Sequence, residues 1–241
     1  MSKGTYKLVC TSSSTMITFM KKKKKGHCAI CGIHGRVTRE HVPPKSLFPR
    51  PQTNPIIVPT CEKCNGGSSE VDQRFATLMK LNRPTLQDDA DARESVMRTL
   101  RNNRKLYSEI LDSITFFPIQ SSSGIYTGKT GGLIKNISSD GFDELIEKIV
   151  RCLYFHHNQQ ILPSNSRVEL FFDNLLLKNN KNNIGLRQET LNISNLLAVG
   201  QINDPDSFFY RWGICEDSPH NSLWILYFKT ICYTAMVRQQ E

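Results

Sequence analysis

Two cysteine pairs constrain this chain more than any other feature: Cys28-x-x-Cys31 and, after 29 intervening residues, Cys61-x-x-Cys64. A two-residue spacer lets both sulfurs of a pair reach one ion. Two such pairs close a four-thiolate tetrahedron of the kind Zn²⁺ prefers. When protein supplies every ligand, no position stays open for water, so such an ion is structural and not catalytic. A segment of roughly 40 residues buries too little apolar area to fold unaided, and zinc binding worth roughly 10–16 kcal/mol can substitute for a core. The other four cysteines, Cys10, Cys152, Cys215 and Cys232, are scattered singly. The lysine run at 21–25 follows the scattered apolar residues of the first 20, the reverse of a secretory signal, so reduced thiols and a cytoplasmic location are expected. No run reaches the roughly 18 apolar residues of a membrane-spanning helix.

Charge is as unevenly placed as cysteine. The net charge is +9 over 241 residues. In residues 1–50, eight Lys and three Arg face one acid, Glu40, so this fifth of the chain carries +10 and the remainder −1. A basic end on a nearly neutral body is the electrostatic footprint of a polyanion binder. The plainer alternative is a solubilising tail. Lys21, Lys22, Lys23, Lys24 and Lys25 form an unbroken run, and a block that repels itself is not expected to pack. With Arg36, Arg39 and Lys45, these are the expected phosphate contacts, giving affinity without sequence information.

Hydropathy patterning divides the chain into a basic extension (1–26), a cysteine-bearing module (27–84) and a C-terminal α+β region (85–241). Val37-Thr38 and Ile56-Ile57-Val58 read as short strands, with Pro43-Pro44 excluding a helix between them. A helix is expected from Ser68 or Ser69, where Asp72 serves as a helix cap and Val71, Phe75, Leu78 and Met79 form the apolar face. Pro84 ends it. A longer helix is expected over 88–114, a Ser/Gly-rich loop or turn pair over 121–132, and a third helix over 140–157. Residues 168–172, 208–212 and 224–233 read as antiparallel strands, and 178–183 as a loop. The fold class expected is α+β, an N-terminal β–β–α module followed by mixed helices and antiparallel strands.

Between the cysteine pairs lies Glu40-His41-Val42-Pro43-Pro44-Lys45-Ser46-Leu47-Phe48, and Val58-Pro59-Thr60-Cys61-Glu62-Lys63-Cys64-Asn65 follows. A carboxylate followed by His at a strand end, a zinc knuckle, and Asn or His just past the last cysteine resembles the HNH, or ββα-metal, nuclease family. The resemblance is strong over residues 27–80 and weaker over the helical residues 145–160.

It implies a divalent-metal-dependent endonuclease acting on DNA, with His41 as the general base that deprotonates water. Glu40 and Asn65 would hold a catalytic Mg²⁺ or Mn²⁺, and Cys28, Cys31, Cys61 and Cys64 the structural zinc. Neighbours on a strand point to opposite faces, so a turn at Glu40-His41 is expected if both serve one site. Asn65 stands where the name has its second His, an HNN-type site that keeps an oxygen ligand and favours Mg²⁺ or Mn²⁺. The family's middle Asn is absent from its common place: Ile56 stands there, and Asn54 is the nearest candidate. His27, His34, His156 and His157 read as surface or structural residues. The resemblance also suggests a restriction or phage-defence effector acting beside an ATPase partner, or as a homo-oligomer. The chain has no Walker motif, its nearest approach at Gly124 to Gly128-Lys129-Thr130 being one residue short. Two rivals stay open: a non-catalytic zinc module that binds nucleic acid or protein, and an RNA-cleaving toxin on the same scaffold.

Overall fold

The structure is a computed structural model that describes residues 24–48, 52, 54–66, 69–81, 89–134, 139–174, 194–201, 207–228 and 231–239. Lys21 to Lys23, Pro84 and the loop expected over 178–183 lie outside the described residues. No described helix is long and apolar enough to cross a membrane. Helices and antiparallel sheets are both present, as an α+β chain requires.

The first sheet has three strands in the order β1–β2–β3: β1 (Lys25–His27), β2 (His34–Val42) and β3 (Ile56–Cys61). Strand β2 has nine residues, far longer than the Val37-Thr38 pair that marks it in the sequence. Its inward side chains, Glu40 and Val42, are buried, and β3 alternates strictly, burying Ile56, Val58 and Thr60. The end of the lysine run is pinned here. Lys25 pairs with Arg36 in β1, and the Lys24 carbonyl accepts the Val37 N–H at 3.0 Å. A backbone partner holds two lysines that the charge run alone predicts to be loose, so the expected boundary between residues 26 and 27 falls inside a strand.

After β3 come a short helix α1 (Glu62–Gly66) and α2 (Ser69–Leu81). The long helix expected over 88–114 is two: α3 (Ala90–Asn102) and α4 (Arg104–Ser113). Asn103 separates them. Its N–H still bonds Thr99 of α3, while its side-chain oxygen accepts the Leu106 N–H at 3.0 Å and caps α4. Residues 121–132 are not a plain loop but belong to a hairpin of β4 (Ile114–Gln120) and β5 (Tyr126–Ile134). Glycine weakens a strand, yet here cross-strand rings occupy the space of the missing side chains: a Cβ on Gly131 would lie 2.7 Å from the Phe117 ring.

Helix α5 (Phe142–Asn158) follows. The last sheet has the order β6–β10–β9–β8–β7, with β6 (Ser166–Asn174), β7 (Ala198–Val199), β8 (Phe209–Cys215), β9 (Ser218–Phe228) and β10 (Ile231–Gln239). The single strand expected over 224–233 is thus two antiparallel strands that meet at the Phe228–Ile231 pair. Eight of the 17 residues of α5 are buried, because it touches β2, β3 and α2 of the cysteine-bearing segment and also β10. One hydrophobic cluster runs from Ala29, Val42 and Val58 through Phe75, Leu145 and Ile149 to Trp224 and Phe228.

Candidate functional site

Strand and helix geometry gather the four cysteines. Cys61 ends β3 and Cys64 sits one helical turn on in α1. Cys28 and Cys31 lie in the tight turn after β1, where Gly32 N–H bonds Cys28 O at 2.9 Å and Cys28 N–H bonds Ile33 O at 3.1 Å. Gly32 has φ +75°, which an L side chain tolerates poorly. Ala29 N–H donates to Pro59 O at 2.8 Å, stitching this turn to β3 just before Cys61. The four sulfurs lie within 4.8 Å of one another, with Cys31 and Cys61 at 3.8 Å. A zinc–sulfur distance of about 2.3 Å gives a tetrahedron with edges of about 3.8 Å, so the cluster is compatible with a structural zinc.

The thiols themselves favour such an ion. Burial raises the Cys28 pKa, but backbone N–H groups of Cys31, Cys61 and Ile30 outweigh it and bring the thiol down to about 7. Burial and then the neighbouring cysteine side chains raise Cys64, and burial likewise raises Cys31. Four thiols this close ionise together only around a cation. His27 and His34 face each other across β1 and β2 with rings 4.9 Å apart and stand exposed outside the cluster.

A cleft of about 530 Å³ opens beside the cysteine cluster, bordered by β2, the single 3-10 turn Lys45–Leu47 and the faces of α2 and α3. Arg39, Glu40, His41, Lys45, Asn65 and Asp72 all line it. The structure therefore brings together the three residues expected to act, Glu40, His41 and Asn65. No turn separates the first two: β2 continues through Val42, with Glu40 opposite Val58 and His41 opposite Ile57. Their side chains leave opposite faces of the strand, yet both border the cleft. Burial lowers the His41 pKa, and the like charges of Lys45 and Arg39 lower it further, so the imidazole is neutral at pH 7.

Glu40 is the one buried acid among the described residues, and burial raises its pKa. Lys148 of α5 opposes that shift. Its Nζ lies 2.7 Å from Glu40 Oε1, with side chains 12% and 8% exposed. Asp72 is close enough to push the Glu40 pKa up as well. Expected as a helix cap, Asp72 is found in the first turn of α2 with the cleft beside it.

Hydrogen bonding orients Asn65. Thr38 Oγ1 donates its one proton to Thr60 O at 3.1 Å, so it can only accept from Asn65, whose Nδ2 lies at 2.7 Å. That assigns the amide: the nitrogen faces Thr38, and Oδ1, the atom able to bind a hard cation, is left for other partners.

The other sequence candidates divide. Lys45 and Arg39 line the cleft, and Lys24 joins Arg39 in a second groove over Val37 and Ile57. Lys25 of the edge strand β1 and Arg36 of the central strand β2 sit paired and exposed, outside the cleft lining. Ile56 is buried in the core, and Asn54 offers its carbonyl to Gln201 Nε2 at 2.6 Å, so neither reaches the cleft. His157 stacks on Trp212 at 4.0 Å and bonds Tyr210 OH at 2.9 Å, a structural role. Sequence reasoning missed Lys148. The signal was there: it stands three residues after Leu145 and four before Cys152, inside the apolar stripe of a helix, where a charge demands a buried partner.

Compared with protein-family models, with curated proteins and with solved structures, the chain finds no match in any of the three.

Proposed function

We propose that this chain is a divalent-metal-dependent endonuclease of the HNH type that hydrolyses DNA phosphodiester bonds, with its cysteine cluster holding a structural zinc. The observation that carries the reading is the convergence of Glu40, His41 and Asn65 on one cleft next to that cluster. Nothing about a zinc staple alone requires the three together.

His41 takes a proton from a water molecule as its oxygen forms a bond to phosphorus, and the P–O3′ bond breaks, the leaving oxygen being protonated from solvent. A neutral imidazole suits that role at pH 7. Glu40 and Asn65 would hold the catalytic ion. The donor set fits a hard divalent ion such as Mg²⁺ or Mn²⁺, being carboxylate and amide oxygens in a cleft that Asp72 also faces. Such an ion, when bound, polarises the scissile phosphate and stabilises the departing oxygen. Lys148 keeps Glu40 charged and in place, Oε1 being tied to the ammonium. Arg39 and Lys45 at the cleft edge would steer the phosphate backbone. Cleavage of both strands of a duplex calls for a second copy or a second encounter, and any ATP-driven control calls for a partner.

The test is plasmid cleavage with Mg²⁺, with Mn²⁺ and with EDTA, His41→Ala run in parallel. Nicking that requires the ion and falls at least about 100-fold in the variant is the expected result. Because the His41 pKa is lowered, the unprotonated base persists below the ordinary imidazole range. The rate should therefore rise with pH through a midpoint under about 6.5 and level off by neutrality. Undiminished cutting by His41→Ala would remove it as the base. Binding to DNA without cutting under any ion would favour the non-catalytic zinc module, and cutting of RNA alone the toxin.

A further inference from the structure

The second groove, of about 530 Å³, lies on one face of the first sheet. Side chains alternate along a strand, so β2 sends Val37, Arg39 and His41 to one face and Thr38, Glu40 and Val42 to the other. Lys148 and the core take up the second face through Glu40 and Val42. On the first face Arg39 is exposed, while Val37, Ile57 and Pro59 are half-buried. Lys24, whose carbonyl accepts the Val37 N–H, is exposed beside them. These five residues make a groove with an apolar floor and two cations at its rim, and no described acid lines it. Both charges are available to a ligand. Among the described residues, neither the Lys24 ammonium nor the Arg39 guanidinium makes a hydrogen bond or an ion pair. Arg39 also lines the cleft that holds Glu40, His41 and Asn65, so cleft and groove meet at that side chain.

We infer that this groove is a subsite for the DNA strand flanking the cleaved bond, with phosphates against Lys24 and Arg39 and deoxyribose rings on Val37, Ile57 and Pro59. The inference rests on the nuclease reading and adds the path that the strand takes on leaving the cleft. Charge is segregated as that path requires. Glu40 and Asp72 line the cleft, where a divalent ion would stand between the carboxylates and the scissile phosphate. Flanking phosphates have no such ion and need a surface of opposite charge. Past His41 that surface begins: the carboxylates stop and the two cations take over. The floor agrees as well. A sugar–phosphate backbone presents anionic oxygens with apolar C–H groups of the sugars between them, and the groove offers a counterpart to each. Contacts of this kind give affinity and register without reading sequence. His41 leaves β2 on the groove's own face, so the base stands where the strand crosses from cleft to groove. Lys25 and Arg36 are excluded from the subsite, because alternation turns them to the opposite face.

The test is fluorescence anisotropy of the whole chain with labelled duplex and single-stranded DNA, across a salt series without added Mg²⁺ or Mn²⁺, beside the plasmid cleavage assay. Lys24→Met decides most, because Lys24 lines the groove and not the cleft. It should weaken binding about three- to tenfold and reduce the slope of log K against log salt by about one. Lys24→Arg should keep both. Lys25→Met removes the same charge one residue away, on the opposite face, and should leave affinity and slope at the parental values. Ile57→Glu puts a carboxylate on the floor and should weaken binding about tenfold, with Ile57→Leu close to the parent. Equal losses in Lys24→Met and Lys25→Met would overturn the subsite, since charge would then act without regard to position. Parental affinity and slope in Lys24→Met and in a folded Ile57→Glu would also overturn it, and metal-dependent cleavage by the parent would leave the nuclease reading standing. A parent chain that bound neither form of DNA would overturn both.

Discussion

At the scale of single residues, the Glu40–Lys148 pair shows how a charge is kept inside an apolar core. A carboxylate with an 8% exposed side chain loses most of its hydration. The ammonium at 2.7 Å offsets the loss only while both partners are present. Lys148→Met should therefore destabilise the chain by about 3–5 kcal/mol, because it leaves Glu40 buried and uncompensated. Adding Glu40→Gln to that variant should recover most of the stability although both charges are then gone. Urea unfolding of the parent, the two single variants and the double variant measures the coupling directly. Additive losses would mean that the two side chains do not depend on each other. Activity should fall in all three variants, so stability and catalysis separate in the double one.

At the scale of elements, Asn103 joins local folding to the cleft. The same side chain caps α4 through Leu106 and orients Gln73. Asn103→Ala should cost about 1 kcal/mol for the lost cap. Asn103→Asp, which keeps the capping oxygen, should hold most of that stability. Thermal unfolding of the two variants beside the parent checks the order. The break at Asn103 was hard to read in advance because Leu100, Tyr107 and Leu111 keep a helical spacing across it, although the residues buried beyond it are Leu106 and Ile110. Only the capping capacity of Asn argues for a stop. The β4–β5 hairpin escaped for the opposite reason. Its glycines spoil the strand pattern locally, and the rings of Phe116 and Phe117 that cover them come from across the ladder, a pairing invisible along the chain. Where signals were local they were sufficient: the two cysteine pairs, the strand at Ile56-Ile57-Val58 and the apolar stripe of α5 all appear as read. Glu40, His41 and Asn65 were legible as a motif. Lys80 and Ser95 were not, since they reach the cleft from α2 and α3, whose packing no single segment encodes, and Lys148 showed only as a charge inside the apolar stripe of α5.

At the scale of the whole molecule, the cysteine cluster and the distant sheet share one interior. Ala29, between the first cysteine pair, belongs to the same hydrophobic cluster as Phe228 in β9. Removing zinc should therefore do more than loosen residues 27–66. One zinc per chain is expected by metal analysis, and stripping it with a strong chelator, or replacing Cys61 by Ser, should lower the unfolding temperature of the entire chain in a single transition. Two separate transitions, with the later one unshifted, would instead mean that the cysteine-bearing segment melts independently.

The helix between the two sheets has a consequence for genetics. Because α5 carries Lys148 to Glu40 from one flank and rests on β10 with the other, the cleft depends on residues that do not line it. A random screen for loss of cleavage should return substitutions in the final strands, at Trp224 or Ala235, beside those at His41. Such alleles would be mistaken for a second functional centre unless their protein levels and melting behaviour were examined together with their phenotype.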